Sequence, residues 1–231
     1  DPYRYCNEKR EKKALYTEAH RQTARDIAAQ TFVLLKNDNN LLPLKKSGSI
    51  ALIGPLADNR ANLPGCWSTA DKPEKYATVK EAIQRYLDGK ATVLYAQGSN
   101  IYDDSVRQEA VAFGRSIPRG NAQKLLDEAV ETAKKADVIV ACLGEIAEMS
   151  GESSSRSDLT MPDAEARLLK ALVETGKPVV LLNFAGRPTV LSWEAAHVPA
   201  IMNVWFAGSE TGDALCDVLF GDKVPTGKLV N

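Results

Sequence analysis

Short, nearly uninterrupted apolar runs alternate along this sequence with longer segments that have the periodicity of amphipathic helices. Such runs, bounded by glycine, proline or polar residues, are typical of buried strands, and they occupy residues 50–53, 92–95, 138–143, 179–184 and 200–205. Helical spacing occupies residues 17–36, 78–87, 122–135, 162–175, 192–197 and 210–220. The alternation predicts an α/β fold with a mostly parallel five- or six-stranded sheet and helices on both faces, a flavodoxin-like three-layer sandwich with right-handed connections.

The beginning of the sequence differs in character from its middle. Residues 1–13 carry a proline and clusters of charge without a regular period, which predicts an extended linker. We therefore expect a linker over residues 1–16 and one α/β domain over residues 17–231. The start lacks the pattern of a signal peptide, and no apolar run approaches the roughly 20 residues that span a bilayer. The chain is thus expected to be cytosolic or to begin after an export signal, without a membrane partner.

Charge and cysteine usage argue against several classes of function. Lys and Arg number 29 against 30 Asp and Glu, a net charge of -1, so no basic surface is expected for nucleic acid or anionic lipid. The cysteines form no CxxC pair and have no histidine at metal-binding spacing, so a metal site is not expected. All four are predicted to be free thiols, with Cys142 and Cys216 buried as small apolar residues.

The loops that follow the strands are the places to search for chemistry, because ligands bind outside the carboxyl ends of the strands in open parallel sheets. Three of these loops are long, at residues 54–77, 98–121 and 144–161. The first begins GPLA, which is not the glycine-rich fingerprint of a dinucleotide site. The third contains no histidine and no GxSxG motif, so a serine-hydrolase triad is disfavoured.

The third loop is rich in carboxylates: Glu145, Glu148, Glu152 and Asp158 lie there among hydroxyl groups and one arginine, Arg156. A carboxyl group whose environment tunes it to hold a proton near neutral pH suits general acid/base catalysis on a polar substrate. The alternative is a solvated surface loop without catalytic function, and composition alone favours that alternative.

Several longer blocks carry a resemblance to a known family. In chain order they are HRQTAR at 20–25, VLLKN at 33–37, LLPL at 41–44, IGPLAD at 53–58, GKPVV at 176–180, GRP at 186–188, WFAGSETG at 205–212, VLFGD at 218–222 and PTGKL at 225–229. Together they resemble the second, α/β sandwich domain of the β-glucosidase-like enzymes of glycoside hydrolase family 3. The resemblance implies an upstream barrel domain that carries an aspartate nucleophile, with residues 1–16 as the linker from it, and often a fibronectin-like domain downstream.

The resemblance also implies roles for individual residues. The family places its acid/base glutamate on the loop after the third strand of the sandwich, and the run GESSSRSDL at 151–159 matches that position at Glu152. Glu145 is the alternative, with a structural role as its other interpretation. Arg156 is expected to be an ion partner that fixes the loop, a substrate contact at the rim, or a solvated side chain. Trp67 is expected to contact sugar or to anchor its loop, and Trp205 to pack in the core.

The activity implied by the resemblance is retaining hydrolysis of terminal, non-reducing β-D-glucosyl residues from an oligosaccharide or an aryl or alkyl β-glucoside, without a cofactor. Alone, the chain is expected not to turn over. Alternatives are a β-xylosidase or another β-glycosidase of the family, and a non-catalytic carbohydrate-binding or structural domain. A flavodoxin-like regulatory or nucleotide-binding module is disfavoured, because the sequence lacks a glycine-rich loop. The family resemblance implies a periplasmic or secreted location.

Overall fold

The computed structural model describes residues 2–68, 73–112 and 117–230. Its centre is a six-stranded sheet in which the five predicted strands run parallel to one another. The strand order is β1-β6-β5-β4-β2-β3, with β1 at Val33–Asn37, β2 at Gly48–Ile53, β3 at Ala91–Ala96, β4 at Val138–Gly144, β5 at Val179–Phe184 and β6 at Ala200–Asn203. The predicted fold class is confirmed.

The edge strand β1 differs from the sequence prediction, which places residues 33–36 in the last turn of a helix over residues 17–36. The helix ends at Thr31. The chain then pairs antiparallel with β6, with Val33 opposite Asn203. The apolar residues of this stretch fit a helical period, and it is the tertiary pairing with β6 that decides the conformation.

Helices cover both faces of the sheet. They are α1 Glu8–Ala14, α2 Glu18–Thr31, α3 Val79–Leu87, α4 Ser105–Ala112, α5 Ala122–Lys134, α6 Asp163–Glu174, α7 Ser192–His197 and α8 Thr211–Leu219. On β2, Ile50 and Leu52 face the core under α2, α3 and α8, whereas Ala51 and Ile53 face the core under α5, α6 and α7. Each large apolar side chain that is fully buried in these two cores contributes about 2 kcal/mol to folding.

Two short helices lie where the sequence analysis predicts irregular chain. Residues 1–13 are predicted to be extended, but α1 forms there, and the side chain of Asn7 caps it by accepting a hydrogen bond from the backbone N–H of Lys9 at 3.0 Å. The loop over residues 98–121 contains α4. Glu, Lys and Arg favour helices intrinsically, so α1 forms without the apolar stripe that the periodicity analysis requires. The assignment of residues 1–16 as a linker stays a prediction.

The carboxyl ends of β2, β3, β4 and β5 lie at one edge of the sheet, because these strands are parallel. The three long loops therefore start from the same edge. Across the described ranges, no helix has both the length and the apolar content that crossing a bilayer requires.

Candidate active site

The loop after β4 begins with a glycine that brings two strands unusually close. Gly144 has φ +130°, and a Cβ atom built there would lie 2.0 Å from the carbonyl oxygen of Phe184 at the end of β5. Only glycine fits such an approach. The next residue, Glu145, donates its backbone N–H to the same carbonyl at 2.7 Å. The start of the loop is thus fixed to the neighbouring strand.

The side chain of Glu145 is buried and paired. It is 1% exposed. Its Oε1 accepts a hydrogen bond from Arg156 Nη1 at 2.7 Å and lies 3.2 Å from Arg187 Nε, an ionic contact without hydrogen-bond alignment. Its Oε2 accepts from the backbone N–H of Gly186 at 3.2 Å. We call Glu145, Arg156, Gly186 and Arg187 the Glu145 cluster.

The two arginines of the cluster extend to the backbone of the loop. Arg187 Nη2 donates to the carbonyl oxygens of Met149 and, at 2.9 Å, of Ser154. Arg156 Nη2 donates to the carbonyl oxygen of Thr160 at 2.9 Å. Arg156 therefore fixes the loop, one of the roles predicted for it.

In the sequence, Glu152 lies between Met149 and Ser154, the two residues whose carbonyl oxygens accept hydrogen bonds from Arg187. It belongs to a turn closed by a hydrogen bond from Ser154 N to Gly151 O at 3.2 Å, and the next residue, Ser153, has φ +62°. The Glu152 side chain is exposed, and among the described residues it has no hydrogen-bond or ion-pair partner. Its carboxyl group is therefore accessible from solvent.

Glu152 lines a cavity of about 460 Å³ between the second and third loops. Arg156 also lines this cavity, and so does Tyr102 from the second loop. The guanidinium of Arg107 on α4 lies 4.0 Å from the centre of the Tyr102 ring, in a cation–π arrangement. Asp158 completes the polar wall. The described lining residues thus include carboxylates, cations and the aromatic ring of Tyr102.

Asp158 is held by its own loop. Its Oδ1 accepts hydrogen bonds from the backbone N–H of Thr160 at 2.9 Å and from the Thr160 hydroxyl at 2.7 Å. These bonds place the pKa of Asp158 below its ordinary value. Asp158 is therefore an anion at neutral pH and is not suited to donating a proton there.

The first loop packs against the third. Asn62 Oδ1 accepts a hydrogen bond from the backbone N–H of Ala147 at 2.8 Å, and a Cβ atom built on Gly151 would lie 3.2 Å from Cys66 Sγ. Trp67 follows this cysteine and is 69% exposed, and it is absent from the described residues that line the cavity. The structure therefore brings the Trp67 loop to the turn that carries Glu152.

Trp205, by contrast, is misassigned by the sequence analysis. It is predicted to pack in the core, but its ring is partly exposed and its indole N–H donates to the carbonyl oxygen of Thr31 at 3.2 Å. Its backbone has φ +55°, in the left-handed region, so this residue is not extended. The strand accordingly ends at Asn203.

A second buried carboxyl group lies beneath the site. Glu165 on α6 is fully buried, and its Oε2 accepts a hydrogen bond from the backbone N–H of Gly144 at 2.9 Å, whereas its Oε1 has no partner among the described atoms. Burial raises the pKa of Glu165 well above its ordinary value. Through its bond to Gly144, the Glu165 side chain supports the start of the loop.

Sequence reasoning missed the role of Arg187. Its block, GRP at residues 186–188, is quoted for the family resemblance, but it lies on a short loop after β5 that the search of long loops passes over. The contacts of Asn62 and Tyr102 are missed for another reason, since nothing in their spacing indicates which loop they touch.

Cys6, Cys66, Cys142 and Cys216 are free, and the last two are buried. Within the described residues, no three His, Cys, Asp or Glu side chains are grouped so that they could hold a metal ion.

Comparison with known proteins places this geometry in context. Residues 32–230 match the model of the glycosyl hydrolase family 3 C-terminal domain. The chain is 44% identical over 240 residues to the periplasmic beta-glucosidase of Salmonella typhimurium, covering 99% of this chain and 31% of that protein. It is 32% identical to a beta-xylosidase of Formosa agariphila, covering 92% of this chain and 28% of that protein.

Solved structures agree with the sequence relatives. The beta-glucosidase from Listeria innocua in complex with isofagomine superposes with a TM-score of 0.81 at 28% identity, covering 96% of this chain and 28% of that one. The chain therefore spans less than a third of the length of the relatives that it matches.

Proposed function

We propose that this chain, which belongs to glycoside hydrolase family 3, contributes the general acid/base of a retaining, exo-acting β-glucosidase. Glu152 is the proposed acid/base. The observation that carries the proposal is the contrast between the two candidate glutamates. Glu152 is exposed, has no partner among the described residues and lines the cavity. Glu145 is 1% exposed; one of its oxygens contacts two arginines and the other accepts from a backbone N–H.

In the proposed reaction, an aspartate of an upstream barrel domain attacks the anomeric carbon and forms a covalent glycosyl-enzyme. Glu152 protonates the oxygen of the leaving group in this first step. In the second step, the same side chain removes a proton from water while the water oxygen attacks the anomeric carbon, and the bond to the aspartate breaks to release the carboxylate and the sugar. The two carboxyl groups are expected to lie about 5–5.5 Å apart in the assembled enzyme, the spacing of retaining glycosidases.

The proposed substrate is a terminal β-D-glucosyl residue of an oligosaccharide or of an aryl or alkyl β-glucoside, and no cofactor is needed for this chemistry. The beta-glucosidases among the relatives support this choice. The beta-xylosidase among them supports a β-xyloside as the alternative. Non-catalytic carbohydrate binding remains the alternative for the chain by itself. A periplasmic or secreted location is proposed from the name of the Salmonella relative.

Two further residues are proposed to meet the substrate. Arg156 lines the cavity beside Glu152, although its guanidinium is already bonded to Glu145 and Thr160. Trp67 is exposed on the loop that packs against Gly151, so its ring is available to stack on a sugar face once the partner domain closes the site.

The test replaces Glu152 with alanine in the complete reading frame that contains this chain. Hydrolysis of β-glucosides with poor leaving groups is expected to fall by about 10²–10⁴-fold, the usual contribution of general acid catalysis, while activated aryl glucosides lose less. Azide is expected to restore turnover of activated substrates and to yield a β-glucosyl azide, because this anion needs no base to attack the intermediate.

Glu174→Ala is the matched control, since this exposed glutamate ends α6 at the opposite edge of the sheet. It is expected to leave the kinetics unchanged. Equal losses on good and poor leaving groups in Glu152→Ala, without rescue by azide, would refute the assignment of Glu152. A parent protein without glycosidase activity on any β-glycoside would refute the proposed activity itself.

A further inference from the structure

We infer that Glu145 is a positioning residue, which orients Arg187 and Arg156 so that these arginines hold the turn that presents Glu152. The inference rests on the proposed role of Glu152. It assigns a function to the Glu145 cluster beyond that of an ion pair, because the cluster joins the loops after β4 and β5 at the point where Glu152 projects.

The first step concerns the fixed point of the cluster. Glu145 directly follows β4, and its backbone N–H is bonded to the carbonyl of Phe184 on β5. Its carboxylate is buried and contacts donors on both oxygens. A carboxylate held by a strand end on one side and by two guanidinium groups on the other has little freedom to move.

The second step concerns the turn itself. Arg187 donates through Nη2 to the carbonyls of Met149 and Ser154, and these two residues bracket Glu152 in the sequence. A single nitrogen atom, Nη2, therefore ties together the backbone on the two sides of Glu152. Because Nε of the same guanidinium lies 3.2 Å from Glu145 Oε1, Glu145 sets where Arg187 Nη2 lies.

The third step concerns the exit from the loop. Arg156 uses Nη1 for Glu145 and Nη2 for the carbonyl of Thr160, so the same carboxylate fixes the chain on the far side of Glu152. The hydroxyl of Ser154 adds a bond to the carbonyl of Glu148 at 2.6 Å. The backbone on both sides of Glu152 is thus held, while the Glu152 side chain stays free.

A glutamine at position 145 would test this arrangement without changing its size. Its amide NH₂ is a donor, so one of its two former acceptor positions would face a donor from Arg156, Arg187 or Gly186. With the NH₂ at the Oε1 position both arginine contacts would be lost, and with the NH₂ at the Oε2 position the bond from Gly186 would be lost; in either case the negative charge that attracts both guanidinium groups is removed. The geometry of the turn would loosen even though the fold of the sheet is retained.

The experiment compares Glu145→Gln with Asp217→Asn in the complete protein. Asp217 is a matched control, because it is also a buried carboxylate on an arginine, Arg25, but it joins α8 to α2 away from the loops. With a poor leaving group, Glu145→Gln is expected to lower kcat by roughly 100-fold, the effect of an ångström-scale misplacement, with KM nearly unchanged. With an activated leaving group the loss should be much smaller, since protonation is then less needed.

Hydrogen exchange supplies a readout that is independent of activity. Backbone amides of residues 147–160 are expected to exchange faster in Glu145→Gln than in the parent and no faster in Asp217→Asn. Arg187→Lys, a milder change that keeps the charge but not the fork of nitrogens, should shift kcat and exchange in the same direction.

The outcomes separate this inference from the proposed function. If Glu145→Gln and Asp217→Asn lose activity equally on both substrates, or if exchange over residues 147–160 is unchanged in Glu145→Gln, the positioning role is refuted. If exchange rises as expected while Glu152→Ala shows no dependence on the leaving group, the turn is positioned as inferred but the acid/base role of Glu152 fails.

Discussion

Gly186 tests how closely the short loop after β5 packs against the loop that carries Glu152. A Cβ atom built on Gly186 would lie 2.0 Å from Ser150 Oγ, 2.6 Å from Ser150 Cβ and 3.1 Å from Phe206 Cε2. Rotation of the serine hydroxyl relieves only the first contact. The second contact requires a shift of the backbone of the one-turn 3-10 helix Ala147–Ser150.

From this geometry, Gly186→Ala is expected to lower the free energy of unfolding by about 1–3 kcal/mol, the range observed for overpacked positions. Urea denaturation measures the loss. The backbone N–H of Gly186 still donates to Glu145 in the variant, so the cost should come from crowding and not from a lost hydrogen bond.

Second-site changes identify the atoms responsible. Ser150→Ala removes only Oγ and is expected to restore little of the stability lost in Gly186→Ala, whereas Ser150→Gly removes both crowded atoms and should restore most of it in a double-mutant cycle. Gly120→Ala is the control, because the three atoms nearest to a Cβ there belong to the flexible side chain of Leu125. Equal rescue by both serine variants, or a cost for Gly186→Ala no larger than for Gly120→Ala, would refute the packing argument.

Two other predictions concern titration and reactivity. The pKa of Glu165 is raised above its ordinary value of 4.5 in the folded chain, so the parent should lose stability as the pH rises from 4.5 toward the folded pKa. Over that range Glu165→Gln should gain stability relative to the parent, as measured by thermal unfolding at several pH values. A stability difference that stays constant with pH would contradict this. Burial raises the pKa of the Cys142 and Cys216 thiols, so neither should react with a thiol reagent until the chain is unfolded, and fast labelling of either in the native protein would contradict the packing of the core.

The sheet was predictable from the sequence because its central strands are buried on both faces. Each of the five parallel strands is a nearly continuous apolar run, and the runs at residues 138–143 and 179–184 agree with β4 and β5 to within one residue at each end. The edge strand β1 was not predictable in this way. Its burial alternates irregularly and it follows α2 with only Phe32 between them, so its pairing partner, which lies far along the chain, determines its conformation.

The position of the third loop was predictable, but the contacts within it were not. The topology of a parallel sheet put the third loop at the carboxyl edge, and the family motif selected Glu152 within it. Nothing in the sequence distinguishes the surroundings of Glu145 from those of Glu152, because the difference arises from Arg187, a residue on another loop. The burial and pairing of a side chain depend on contacts between loops that are distant in the sequence, so the local composition does not reveal them.

The loop that carries Glu152 poses a physical conflict, which the Glu145 cluster resolves. Between β4 and α6 the only regular structure is the one-turn 3-10 helix, and fixing so much irregular backbone costs about 1–2 kcal/mol of conformational entropy per residue. A general acid nevertheless has to be held to within about 0.5 Å of its working position. Arg187 and Arg156 donate hydrogen bonds to carbonyls of the loop, and Asn62 accepts one from a loop N–H. These bonds offset the entropic cost without using the carboxyl group of Glu152. The loop can therefore be rigid in its backbone and open at the side chain of Glu152. In the proposed reaction, the buried carboxylate of Glu145, seven positions earlier in the sequence, is what holds Glu152 in place for acid/base catalysis.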